Sequence, residues 1–198
     1  MRLFSFSLKD GKLIHDPKGN IVAFVDGELV KIMYKNGEEI DTNKVSFLLS
    51  NDDAKLIEKI NKIEKINILP ALVYPEEERR LRLLQILGTS FEDFIYERLK
   101  GKYNIVKHPN IFKSLSKLTN SRNFNIPDFL VNNKVIIEAK VGEYNYHQIE
   151  TYSRYFKYGI VAIPFSGNCR VPKFWQCVNN CVLDIERLTK RIDFYLNK

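Results

Sequence analysis

Pro127-Asp128-Phe-Leu-Val131-Asn132-Asn133-Lys134-Val-Ile-Ile-Glu138-Ala-Lys140-Val141 is the stretch on which the reading of this chain turns. Val135, Ile137, Ala139 and Val141 alternate with the other residues, the period of a strand that rests one face on a core. Glu138 and Lys140 then project side by side from the opposite face. Asp128 opens an earlier apolar run, Phe129-Leu130-Val131, and Asn132-Asn133 is a tight-turn pair, so a hairpin sets Asp128 beside Glu138. A one-residue slip would turn Glu138 into the core, where an unpaired carboxylate is costly, so the register is strongly specified.

Two carboxylates and a lysine in this arrangement suit metal-assisted phosphodiester hydrolysis. Mg²⁺ is a hard ion that takes oxygen ligands and is held by one or two carboxylates plus substrate phosphate. Asp128 and Glu138 fit that role, helped by the backbone carbonyl of Ala139, and Lys140 is placed to orient the attacking water and stabilise developing charge. Upstream, Phe91, Phe94, Ile95 and Leu99 form a helical apolar stripe with Glu92 at its edge. Glu92 is assigned a metal-linked role, direct or through water, with Glu97 as its substitute. The blander readings are an ion pair on a solvated strand for Glu138 and Lys140, and first-turn helix electrostatics for Glu92.

Pro127-Asp128 followed by Glu138-x-Lys140 resembles the signature of the PD-(D/E)xK nuclease superfamily, the restriction-endonuclease-like enzymes. Two neighbours arrive in that family's order. Gly88-Thr-Ser-Phe91-Glu92 looks like the start of its first core helix, and Gln148-Ile-Glu-Thr-Tyr152 looks like the Gln-x-x-x-Tyr of its RecB-like branch. The resemblance covers about residues 88–165. It implies an α/β fold with an αβββαβ core and a mixed sheet. It also implies a Mg²⁺- or Mn²⁺-dependent DNA nuclease, endonuclease or exonuclease, of repair, recombination or viral DNA processing. Asp128, Glu138, Lys140, Glu92 and Gln148 would be its catalytic set. The superfamily includes restriction enzymes, junction resolvases and virus-encoded nucleases.

Working outward, residues 1–49 carry turn signals at Asp10-Gly11, Lys18-Gly19-Asn20, Asp26-Gly27 and Asn36-Gly37 between short apolar runs, which reads as an antiparallel β-meander. An amphipathic helix over 52–67 follows, capped by Ser50 or Asn51. Pro70 and Pro75 bracket a linker, so a β-rich accessory domain over 1–70 precedes a nuclease domain over 75–198. A charged helix over 76–87, with Leu81, Leu84 and Leu87 on one face, leads to Gly88. The order then reads helix 89–100, strand 103–107, long loop, strands 128–131 and 134–141, helix 145–157, strand 159–164 and a final helix. That last helix is predicted to begin near Pro172 and to carry Phe174, Val178, Cys181, Ile185, Leu188, Ile192 and Tyr195 as a heptad stripe. The stripe covers the sheet or forms a homodimer seam.

With 31 basic and 24 acidic residues the formal charge is +7 and the isoelectric point about 9.2, which favours a polyanionic partner. Lys113, Lys117 and Arg122, in the polar stretch 108–125, are candidate phosphate contacts, set against a plain solvated loop. Tyr152 and Arg154, in a segment rich in tyrosine, are candidate contacts to unpaired bases, which favours single-stranded or branched DNA; inward-facing tyrosines simply pack. Three cysteines, Cys169, Cys177 and Cys181, fall short of the four thiolates of an iron–sulfur cluster and read as buried small hydrophobes. His15, His108 and His147 are scattered, without zinc spacing. No apolar run is long enough to span a membrane, and the cysteine usage leads to an expected cytoplasmic location, the host's if the protein is virus-encoded. A non-catalytic nucleic-acid-binding module on the same fold, or an assembly module, is the alternative.

Overall fold

The first fifty residues must cross one of their own strands, because β1 (Arg2–Lys9) is shared between two partners. Its second half pairs antiparallel with β2 (Lys12–His15), and its first half with β3 (Ile21–Asp26). The link between β2 and β3 therefore passes over β1 at Phe6, where a Cβ on Gly19 would stand 2.0 Å from the Phe6 carbonyl oxygen. Only glycine fits there. β4 (Leu29–Tyr34) pairs with β3, and β5 (Ser46–Phe47) runs parallel to β2, giving the order β4-β3-β1-β2-β5. The expected meander, in which each strand pairs with the next, is thus corrected. The turn residues were read rightly, but a turn signal does not say on which side the next strand returns.

The structure is a computed structural model that describes residues 1–109 and 126–198. It divides into two units, Met1–Leu87 and Gly88–Lys198. In the first, Phe6, Leu13, Ile21, Ala23, Val25, Ile32, Val73 and Tyr74 form the core. Helix α1 (Asn51–Ile63) starts with a capping box in which Ser50 and Asp53 satisfy each other's backbone N–H groups. The short α2 (Leu69–Leu72) carries proline in its first turn. Helix α3 (Glu76–Leu99) runs without a break through Gly88, where a helix start was expected, and the unit boundary falls inside it rather than in the Pro70–Pro75 segment. Leu83, Leu87, Phe91, Ile95 and Leu99 are each at most 1% exposed and recur every four residues, whereas Leu81, expected on the buried face, is 62% exposed. The periodicity that matters spans both segments.

In the second unit β6 (Ile105–Lys107), β7 (Phe129–Val131), β8 (Val135–Ala139), β9 (Tyr158–Ala162) and β10 (Trp175–Val178) make one sheet in the order β10-β9-β8-β7-β6. The first three pair antiparallel, and β8, β9 and β10 run parallel. Helix α4 (Tyr146–Ser153) lies between β8 and β9 in sequence, and α5 (Glu186–Leu196) ends the chain. β8 is buried on both faces, not on one as its alternation suggested, because helices pack on the sheet: Ile136 lies against α4, and α5 also contacts the strand.

The long final helix is not formed. Residues 175–178 are a strand bounded by Phe174 and Asn180 in left-handed backbone, which no helix passes through. Trp175 faces Gly159 across the β9–β10 ladder, and a Cβ there would lie 2.2 Å from its ring, so glycine in one strand makes room for tryptophan in the next. The heptad stripe is accordingly broken up, with Leu188, Ile192 and Tyr195 buried within the unit by α5. Cys169 and Cys177 are joined as a disulfide and Cys181 is free and buried, which corrects the reading of all three as reduced and removes that argument for a reducing compartment. Among the described residues no helix is long and apolar enough to cross a membrane.

Candidate active site

The β7–β8 hairpin builds the centre of the site. Asn132 and Asn133 both take left-handed backbone, which asparagine tolerates, and Val131, Leu130 and Phe129 pair with Val135, Ile136 and Ile137. One step further, this register sets Asp128 opposite Glu138. The backbone N–H of Ala139 donates to Asp128 Oδ2 at 2.7 Å, which pins the aspartate at the strand end. The face they share carries Leu130 and Ile136, which lie beside Val161 of β9 and Trp175 of β10 and are covered by Ile149 and Tyr152 of α4.

Glu138 is completely buried. The Lys140 ammonium lies 2.7 Å from its Oε2, yet among the described residues neither carboxylate oxygen receives a well-directed hydrogen bond. The contact therefore supplies charge without the geometry that would satisfy the oxygens. Burial, with the nearby Asp128 charge adding to it, pushes the Glu138 carboxyl up to about 8 against the pull of Lys140. Burial also opposes the charge of Lys140, but Glu138, Asp128 and Glu92 outweigh it and hold the ammonium above its ordinary value. A buried, under-satisfied acid next to a second one is met by a proton, as here, or by a further cation that displaces it.

Glu92 approaches from α3. Burial and Asp128 raise its carboxyl, opposed by His108, Lys107 and Lys140. Among the described residues, Glu92, His108 and Asp128 form a group whose ligand atoms all lie within 4.8 Å of one another. His108 was not singled out from the sequence, where it looked like one of three scattered histidines. It lies one residue beyond β6, its N–H donates to the Asp128 carbonyl at 2.8 Å, and its Nε2 is 3.5 Å from Glu92 Oε2. The antiparallel pairing of β6 with β7 is what could have found it, since the residue after β6 must meet the residue before β7. Glu97, the substitute for Glu92, is instead engaged by Lys100 at 2.6 Å.

Gln148 sits on α4, where its Nε2 donates to the Tyr152 hydroxyl at 3.0 Å. Burial above all raises that phenol, and the Glu138 and Asp128 charges add to the effect, so Gln148 and Tyr152 adjoin the carboxylates. Tyr152 is 1% exposed, which corrects its assignment as a base-stacking residue: it is a core side chain whose hydroxyl faces the site. Arg154 is exposed at the C-cap of α4. Lys113, Lys117 and Arg122 lie outside the described residues. The structure thus brings together Asp128, Glu138, Lys140, Glu92 and, through Tyr152, Gln148. The donor set of carboxylates plus one imidazole fits a divalent ion, with the Ala139 carbonyl next in line at the strand end. No protein-family model, curated protein or solved structure matches this chain.

Proposed function

We propose that the chain is a Mg²⁺- or Mn²⁺-dependent nuclease that hydrolyses phosphodiester bonds in DNA. The observation that carries this is the pairing of Asp128 with an enclosed, under-satisfied Glu138 on one sheet face, with Lys140 at 2.7 Å. The succession α3, β6, β7, β8, α4, β9, with β8 and β9 parallel, supports a restriction-endonuclease-like core, because it is the order the sequence resemblance implies. The basic balance of the chain favours a polyanionic substrate.

Asp128, Glu138 and Glu92 would hold the ion. When bound, a divalent ion polarises a phosphate oxygen and makes a coordinated water more acidic. The Ala139 N–H keeps Asp128 aimed at the site through a short hydrogen bond. Lys140, held charged among three carboxylates, is placed to stabilise negative charge developing on the phosphate and to orient the water. The Gln148–Tyr152 hydrogen bond holds the Gln148 side chain against the Tyr152 hydroxyl on α4. Because Tyr152 packs inside, contact with DNA falls to exposed groups such as Arg154 and to the basic residues Lys113, Lys117 and Arg122.

Purified protein incubated with supercoiled duplex and circular single-stranded DNA, in Mg²⁺, Mn²⁺ or EDTA, tests the proposal. Metal-dependent cleavage lost in Asp128→Ala supports it, and circular substrates also separate endonuclease from exonuclease. DNA binding without cleavage under any metal would instead favour the non-catalytic module.

A further inference from the structure

We propose that the edge of the second unit's sheet where its parallel strands begin is a binding surface for single-stranded nucleic acid, with Phe174 and Phe194 stacking unpaired bases and the basic residues around them holding phosphate. The surface stands apart from the proposed nuclease site and does not depend on it. Met1–Leu87 holds as many acidic as basic residues, so the formal +7 of the chain belongs entirely to Gly88–Lys198. Strands β8, β9 and β10 begin together at this edge, where Val135 pairs with Tyr158 and Trp175 with Gly159. Glu138 lies toward the other end of β8, roughly 10 Å along the strand from Val135 at about 3.3 Å per residue.

The edge carries a continuous run of rings and cations. Lys157 stands 5.5 Å from the Phe174 ring centre and 5.3 Å from that of Tyr158, and Lys173 lies 5.1 Å from Phe174. Tyr158 stacks on the buried Tyr195 of α5 at 4.9 Å. Tyr195 adjoins Phe194, over which Lys198 and Arg191 sit at 4.2 and 5.3 Å. Lys134, beside the Tyr158 ring, donates to the Leu196 carbonyl at 3.0 Å and ties the end of α5 to the start of β8. The acids of α5 are engaged, Asp193 by Lys102 at 2.7 Å and by the Tyr103 hydroxyl, and Glu186 by Lys190 at 3.6 Å.

Phe174 and Phe194 are 49% and 44% exposed, although the next residue in each case, Trp175 and Tyr195, is a buried aromatic. Phe174 is also placed against local preference. The Trp175 N–H closes a four-residue turn on the Pro172 carbonyl at 3.1 Å, and Phe174, third in that turn, has a φ of 68°. Glycine or asparagine is favoured there, and a bulky side chain at positive φ is rare. An exposed ring in backbone that disfavours it marks a residue held for contact rather than for packing. Ring faces beside ammonium groups stack bases and hold phosphate at once. A duplex keeps its bases stacked inside and offers such rings nothing, which selects a single strand.

The test is fluorescence anisotropy of labelled oligothymidylate with the full-length chain in EDTA, where metal-dependent cleavage is silent. Phe174→Gly suits its turn and should keep or raise the melting temperature while weakening oligothymidylate binding about tenfold, the loss of one stacked base. Phe194→Ala should weaken it similarly, and an abasic strand of equal length should bind more weakly and be indifferent to both changes. Binding unchanged in both variants, or weakened equally for the abasic strand, overturns the surface. A cleavage arm in Mg²⁺ and Mn²⁺ keeps the two proposals apart. Phe174-dependent binding without cleavage under any metal rejects the nuclease and keeps the surface, whereas metal-dependent cleavage with binding indifferent to Phe174 and Phe194 rejects the surface alone.

Discussion

Each unit buries an acid–base pair, and the two are built in opposite ways. In the first unit Arg79 and Asp53 are 3.4 Å apart with side chains 6% and 1% exposed. Arg79 also donates to the Leu48 carbonyl at 2.7 Å and the Tyr74 carbonyl at 3.3 Å, and Asp53 closes the capping box of α1 through Oδ2, while its Oδ1 accepts no hydrogen bond among the described residues. In the second unit Glu138 and Lys140 are closer, at 2.7 Å, but among the described residues neither Glu138 oxygen accepts a directed hydrogen bond, and a second carboxylate stands beside it. A planar guanidinium forks between a carboxylate and backbone oxygens and ties segments together; a lysine beside two acids leaves charge unmet. The first arrangement is structural. The second leaves both oxygens of one acid unmet at the place where the proposed nuclease would bind its ion.

The largest expected effect tests the second pair. Asp128→Ala or Glu138→Ala should lower DNA cleavage by at least about a thousandfold, with metal-free DNA binding unchanged or stronger because repulsion from phosphate is relieved. Gel-based single-turnover rates beside binding isotherms decide this, and metal-dependent cleavage in both variants would dissolve the contrast. The first pair should answer in stability. Arg79→Ala leaves Asp53 buried without its cation and should lower the unfolding free energy by about 3 to 5 kcal/mol in denaturant titrations. A change below about 1 kcal/mol would put it with ordinary surface pairs.

A third test uses pH to separate the pairs. Because burial and Asp128 raise the folded Glu138 carboxyl from 4.5 to about 8, the folded chain keeps a proton there that the unfolded chain has lost. The associated stability is present below pH 4.5 and is lost as pH rises toward about 8, since the folded state binds more protons across that window. In EDTA, the melting temperature of Glu138→Gln relative to wild type should therefore climb between those limits, and added Mn²⁺ should narrow the gap. A difference flat with pH breaks the argument. The smallest expected effect is Tyr152→Phe, which removes the Gln148 hydrogen bond at 3.0 Å and should cost about 1 kcal/mol of stability. No change would mean that this bond between side chains four residues apart adds nothing to α4.

Legibility differed by region for physical reasons. The hairpin at 127–141 could be read because its partners are separated by one short turn, so alternation and two asparagines define both face and register. Ser50 as the cap of α1 was legible on the same local grounds. The span 172–185 misled, since Phe174, Val178, Cys181 and Ile185 fit a helical period while the actual determinant, the space above Gly159 for the Trp175 ring, lies in another strand. Leu81 and Leu84 misled in the same way, because the buried line of α3 follows residues four apart across the whole helix. In the first unit, the crossing over Phe6 depends on Gly19 meeting a backbone oxygen, a contact no turn signal announces.

The sequence by itself determined that Asp128, Glu138 and Lys140 would share a face, because strand alternation and a short turn act within a few residues of one another. It also determined the apolar run of β8 and the position of Glu92 on a helix. Only the tertiary structure decided that β8 is enclosed on both faces, that Glu138 is thereby stripped of water, and that His108 stands beside Asp128 and Glu92. Local pattern governs where a side chain points. Which distant segment arrives to meet it is set by the packing of the whole sheet, and that packing is what turns a buried carboxylate into a candidate metal site.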